Sequence, residues 1–161
     1  MNERLKITLE MLEKTDKNDI SKFNNLLNEI SGIYFQMGQF NISIEYTEQA
    51  LSISMNVGDI INQANELSNL GLICKTCGKF KDAIESFTKT LELDKTFENK
   101  KSKIISDLLN IGESNELLEE WDQALEAYNN ALELVRELKS NKDKEFYVYH
   151  DCSRKHLPLG R

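Results

Sequence analysis

Proline is almost missing from this chain, with one residue in 161, Pro158, near the end, and only seven glycines accompany it. Sheet proteins draw heavily on both residues for their turns, so this scarcity argues for long uninterrupted helices. The three cysteines, an odd number at irregular spacing, describe no disulfide framework and agree with a reducing compartment. Histidine is scarce too: His150 and His156 both lie near the end, which leaves no basis for a Ser, His and acid constellation. No stretch approaches the ~18 consecutive apolar residues of a membrane span, and the opening MNERLKITLEML lacks the basic-then-apolar layout of a secretory signal. The expected location is the cytoplasm, with no membrane partner. Positive charge is also short. A net charge of -7 disfavours nucleic acid, whose phosphates call for clustered Lys and Arg. The run Lys100, Lys101 and Lys103 is the exception, expected to be a solvated loop entering a helix. What remains, 40% apolar and 29% charged, is the composition of a soluble globular protein.

Against these absences stands repetition. Phe40, Phe80 and Trp121 lie 40 and 41 residues apart and open the segments FNISIEYTEQALSI, FKDAIESFTKTLEL and WDQALEAYNNALEL. Ile44, Ile84 and Leu125 coincide, as do Glu45, Glu85 and Glu126, then Ala50, Thr90 and Ala131, then Leu51, Leu91 and Leu132. Self-similarity at such a period marks a stacked array whose units bury their apolar faces against their neighbours. Upstream of each segment runs a second apolar stripe at spacings of three and four: Leu27, Ile30 and Tyr34; Leu67, Leu70 and Cys74; Leu108 and Ile111, then Asn115. That spacing is helical. Each unit is therefore a helical hairpin.

Small residues mark where the arms cross. Ser31, Gly71 and Gly112 on the first arm, with Ser43, Ala83 and Ala124 on the second, let the backbones approach, and a leucine at Gly71 or Ala83 is expected to overpack the contact. Gly38 and Gly78 are placed to supply left-handed turn residues between arms, and Gly58-Asp59 a helix stop plus N-cap between units. Phe40, Phe80 and Trp121 are expected inside the hairpins.

The array LxxLGxxCxxxGKFxxAIxxFxxTLEL, from Leu67 to Leu93, resembles the tetratricopeptide repeat, in its long-period form of 40 to 41 residues. The likeness covers about residues 22–138. The proline that usually closes each unit is replaced by Ser54, Lys95 and Val135, similar to the long-helix variant of kinesin light chains and some bacterial peptide-pheromone sensors. The resemblance implies an all-α, right-handed superhelical solenoid of antiparallel helix hairpins. We read residues 3–20 as a capping helix, 21–57, 58–98 and 99–139 as three repeats, and 140–158 as a second capping helix halted by Pro158.

What the resemblance implies about function is a groove. The polar residue preceding each Leu-Gly-type pair, Glu29, Asn69 and Asn110, faces the inside of the superhelix in the family, where asparagine commonly bonds an extended peptide. A carboxamide suits that task, since it both donates and accepts. The implied inward surface further includes Asn25, Asn28, Asn65, Ser68, Lys75, Glu113 and Glu116. It lacks the paired Lys and Arg by which chaperone-binding members clamp a terminal carboxylate, and its acidity toward the third unit favours a partner of basic character. The residues most expected to bind a partner are Asn28, Glu29, Ser68, Asn69, Lys75, Asn110 and Glu113. No enzyme chemistry, metal or cofactor is expected. Cys74-Lys75-Thr76-Cys77 is a CxxC without a second pair, in which Cys74 fills a core position, and Gly71 to Lys79 departs from a phosphate loop. Two rival readings are self-association through the solenoid's ends and a peptide-sensing domain of a longer protein.

Overall fold

The structure, a computed structural model, describes residues 3–16, 18–97 and 100–137. The 140–158 capping segment, with His150, Cys152 and His156, lies outside them. Seven helices and no strands occur among the described residues: α1 (Glu3–Lys14), α2 (Ile20–Gln36), α3 (Phe40–Val57), α4 (Ile60–Thr76), α5 (Phe80–Asp94), α6 (Lys101–Leu117) and α7 (Trp121–Glu137). The described residues fall into two compact units, one ending at Lys79 and the other beginning at Phe80. In the first, α1 packs on α2, α2 on α3 and α3 on α4; in the second, α5 packs on α6 and α6 on α7.

The punctuation follows the local chemistry. Gly38, Gly58 and Gly78 adopt φ of 72°, 73° and 82°, left-handed values that carry no penalty without a Cβ. The turns within hairpins close with the same pair of bonds: Gly38 N–H donates to Phe35 O and Gln39 N–H to Tyr34 O, repeated by Gly78 to Lys75 and Lys79 to Cys74. These satisfy carbonyls that a helix end would otherwise leave open. Asp59 caps α4 by accepting from Asn62 N–H at 3.0 Å. The third turn repeats the bonds, from Glu119 to Glu116 and Glu120 to Asn115, but places Glu119 at φ 60°. A side chain there is strained, so Glu119→Gly should raise stability by about 1 kcal/mol, read as a later midpoint in urea unfolding.

The α2–α3 and α6–α7 crossings use small residues in two ways. In the α2–α3 hairpin the Ser31 hydroxyl donates to Ser43 O at 2.9 Å and the Ser43 hydroxyl donates back to Ser31 O at 2.9 Å, with Thr47 Oγ1 2.7 Å from Ser31 Oγ. In the α6–α7 hairpin Gly112 stands in the place of Ser31 and Tyr128 in the place of Thr47. A Cβ built on Gly112 would lie 2.5 Å from Tyr128 Cε1. Small-against-medium has become nothing-against-large, and the ring is fully buried with its hydroxyl donating to Glu116 Oε2 at 3.0 Å. Tyr128 joins Leu91, Ile104, Ile105, Leu108, Ala124, Ala131, Leu132 and Val135 in the core of the second unit. In the first unit Leu5, Ile30 and Ile33 form a cluster on which Leu9, Leu12 and the stacked pair Tyr34 and Tyr46 pack.

One expectation is corrected here. Phe40, Phe80 and Trp121 are not the hairpins' interior: Phe40 and Phe80 are partly buried and Trp121 is 49% exposed. Each is the first residue of its helix. The buried aromatic positions come seven residues later, at Phe87 and Tyr128, both fully buried. A second correction concerns register: the residue 40 positions after Ser54 is Asp94, not Lys95, and Asp94 is fully buried while Lys95 is exposed.

Candidate partner-binding cleft

Within the first unit, α2 and α4 meet through a buried polar cluster. Glu66 of α4 is fully buried, and its Oε1 accepts from Asn24 Nδ2 at 2.5 Å and from Asn28 Nδ2 at 3.3 Å. Asn24 Nδ2 also reaches Ser54 Oγ of α3 at 2.9 Å. Burial of such groups is tolerable only with partners, and here the carboxylate ties the two carboxamides in place. The Oδ1 atoms of Asn24 and Asn28 and Oε2 of Glu66 lack hydrogen-bond partners.

Beside this cluster lies a cleft of about 230 Å³ lined by Asn28, Ser31, Gly32 and Phe35 of α2, Ser43 of α3, and Asn69, Leu72 and Ile73 of α4. Spacings of three and four keep each helix's contributors on one stripe. The Phe35 ring is braced edge-on by Phe40, centroids 5.7 Å apart, and Leu72 is exposed. The cleft thus sets the exposed Asn69 carboxamide, which can donate and accept, and Asn28, held by Glu66, against an apolar wall. Gly32 is its most informative member. It sits in mid-helix, has no left-handed φ, and a Cβ built on it would meet nothing within 4 Å. Neither packing nor backbone geometry asks for glycine, and it costs the helix about 1 kcal/mol relative to alanine.

Of the residues expected to contact a partner, the structure brings Asn28 and Asn69 together in this cleft. Glu29 is engaged elsewhere, by Arg4 of α1 at 3.0 Å. Ser68 and Lys75 are partly buried on α4 and do not line the cleft, while Asn25 and Asn65 are exposed. Asn110 and Glu113 stand one turn apart on α6 in the second unit, both partly buried. Glu116, also read as inward, accepts the Tyr128 hydroxyl. Gly32, Phe35 and Leu72 were not anticipated. The signal was available, since counting back from Glu113 by 41 and then 40 residues gives Leu72 and Gly32.

The basic run is not a solvated loop. Lys100 and Lys103 lie 3.6 and 3.9 Å from the two carboxylate oxygens of buried Asp94, and Lys101 pairs with Glu137 of α7 at 2.9 Å. Among the described residues no three His, Cys, Asp or Glu side chains cluster in a way that could hold a metal. Cys74 is buried, and Cys77 Sγ donates to the Cys74 carbonyl at 3.4 Å. No described helix is long and apolar enough to cross a membrane.

Comparison with known proteins gives a consistent result. Residues 23–96 match the sequence profile named Tetratricopeptide repeat. No curated protein matches the chain in sequence. Among solved structures, a protein described as a putative kinesin light chain with nearly identical TPR-like repeats, from Podosopora anserina, superposes with a TM-score of 0.79 at 12% identity, over 94% of this chain and 75% of its own. BtubC (BKLC) from P. vanneervenii gives 0.72 at 18% identity over 97% and 75%. The apo form of RapI gives 0.72 at 22% identity over 93% and 56%. At these identities the likeness is one of fold, an all-α helical-repeat solenoid.

Proposed function

From the match of residues 23–96 to the tetratricopeptide repeat profile, we propose that this chain is a non-catalytic protein–protein interaction module of that family that binds an extended segment of a partner. The observation carrying this reading is the α2–α4 cleft, where Asn28 and Asn69 flank an apolar wall over a glycine that nothing in the fold requires. A backbone segment presents alternating N–H and C=O groups, which carboxamides match, while Phe35 and Leu72 offer contact to one apolar side chain. A preformed groove on helices reduces the ordering cost of binding on one side. The chain's net charge of -7 favours a partner of basic character, mainly through encounter rate and partner choice. The same reading assigns Asn110 and Glu113 of α6 to partner contact.

The test uses peptides selected from a random library on the wild-type protein and titrated against two variants. Asn28→Ala with Asn69→Ala should weaken binding roughly tenfold, from about 0.5–1.5 kcal/mol per lost bond. Gly32→Leu should fill the cleft and abolish binding while leaving the melt unchanged or improved. Selected peptides that bind wild type and both variants equally would place recognition elsewhere.

A further inference from the structure

The two described inter-repeat junctions, α3–α4 and α5–α6, share an acid at one equivalent position and differ at another. In the first, the acid Glu66 faces donors: the Asn24 and Asn28 carboxamides, with the Ser54 hydroxyl adjoining Asn24. Forty and forty-one residues on, Ser54 gives way to Asp94 at the end of α5 and Glu66 to Asp107 on α6. A hydroxyl has been replaced by a second acid. Asp94 is fully buried and Asp107 only 3% exposed, and Asp94 Oδ1, Asp94 Oδ2 and Asp107 Oδ2 have no hydrogen-bond partner. Asp107 thus holds a buried carboxyl in a junction that already contains a second buried acid, and burial disfavours its charged form.

The surrounding charges do not resolve the conflict. Lys100, on the turn into α6, and Lys103, on α6 itself, approach the oxygens of Asp94. From α7, Glu137 takes Lys101, and Arg136 is exposed. We propose that the α5–α6 junction is a proton-operated joint, closed when Asp107 carries a proton and loosened when Asp107 is ionised beside Asp94. Asp107 precedes Asn110 by one helical turn, so the loosening acts on the helix that carries Asn110 and Glu113. The joint operates whether or not α6 meets a partner.

Burial, followed by the negative charge of Asp94, raises the Asp107 carboxyl from 3.8 to about 7, against the opposing pull of Lys103 and Lys100. An acid that holds its proton more tightly in the folded chain stabilises the fold at low pH. That advantage is complete below the ordinary aspartate range, shrinks as pH rises through it, and is gone above the folded value near neutrality. Two measurements test the joint. The Asp107 carboxyl resonance, followed by ¹³C NMR in the intact wild-type protein, should titrate near neutrality. The melting midpoint of the wild type should fall by at least about 5 °C between about pH 5 and about pH 8, whereas Asp107→Asn should be flat over that range and melt above wild type at the upper end. A carboxyl midpoint in the ordinary aspartate range, or equal pH slopes for wild type and Asp107→Asn, would overturn the proposal; if the variant does not fold, the resonance alone decides.

Discussion

Tyr128→Ala should cost about 3–5 kcal/mol of stability, while Trp121→Ala, at the larger residue, should cost less than about 1 kcal/mol. The reason is position. Tyr128 is fully buried among α6 and α7 side chains, and its hydroxyl donates to Glu116; its loss leaves a cavity where the first arm has only glycine to offer. Trp121 opens α7 with half its surface in solvent. Urea unfolding of both variants, monitored by helical circular dichroism, should show an early transition for the first and a nearly native one for the second. Similar losses for the two would mean that the buried stripe of α7 has been assigned to the wrong register.

Gly112→Ala carries the second large effect, and its sign is unusual for a helix. Alanine in place of a mid-helix glycine ordinarily stabilises by up to about 1 kcal/mol. At this position the added methyl would lie 2.5, 2.8 and 2.9 Å from three ring atoms of Tyr128. The ring is enclosed and hydrogen-bonded, so it has no free end to swing away, and overpacking should dominate with a net loss of about 1–3 kcal/mol. Gly32→Ala is the internal control. It makes the same change on a first arm where nothing lies within 4 Å, and should stabilise.

Much of this is legible in the sequence because repetition makes independent positions vote together. The arms, their crossing residues and the turn glycines all follow from the 40 and 41 residue offsets. The buried aromatic position does not, although it stands in the quoted segments, because the three units fill it with Thr47, Phe87 and Tyr128, which share no chemical class. The pairings of Thr47 with Ser31 and of Tyr128 with Gly112 make sense only as a sum of sizes across the crossing. Conversely, Phe40, Phe80 and Trp121 look alike and suggest an interior, yet similarity at a helix's first residue reflects position more than burial. Half of the cleft is readable, since Asn28 and Asn69 stand out as polar residues on first arms. Gly32 escapes because glycine in a helix reads as a packing device until open space beside it is seen. Glu29 reads as a groove residue because nothing in its own repeat announces Arg4 as a partner. The Asp94–Asp107 junction is hidden more deeply: that two acids 13 residues apart are both buried depends on how α5 packs on α6, and the lysines between them read as a solvated run.

The central claim is that recurring residues recur because paired helices nest through fixed crossing positions, and a double-mutant cycle on Gly112→Ala and Tyr128→Ala in urea addresses it most directly. With the ring removed, the alanine methyl has room, so the substitution should change from destabilising to neutral or stabilising, giving a coupling of about 2 kcal/mol or more. Additive effects, with Gly112→Ala equally costly in the wild-type background and in the Tyr128→Ala background, would contradict the nesting on which the rest is built.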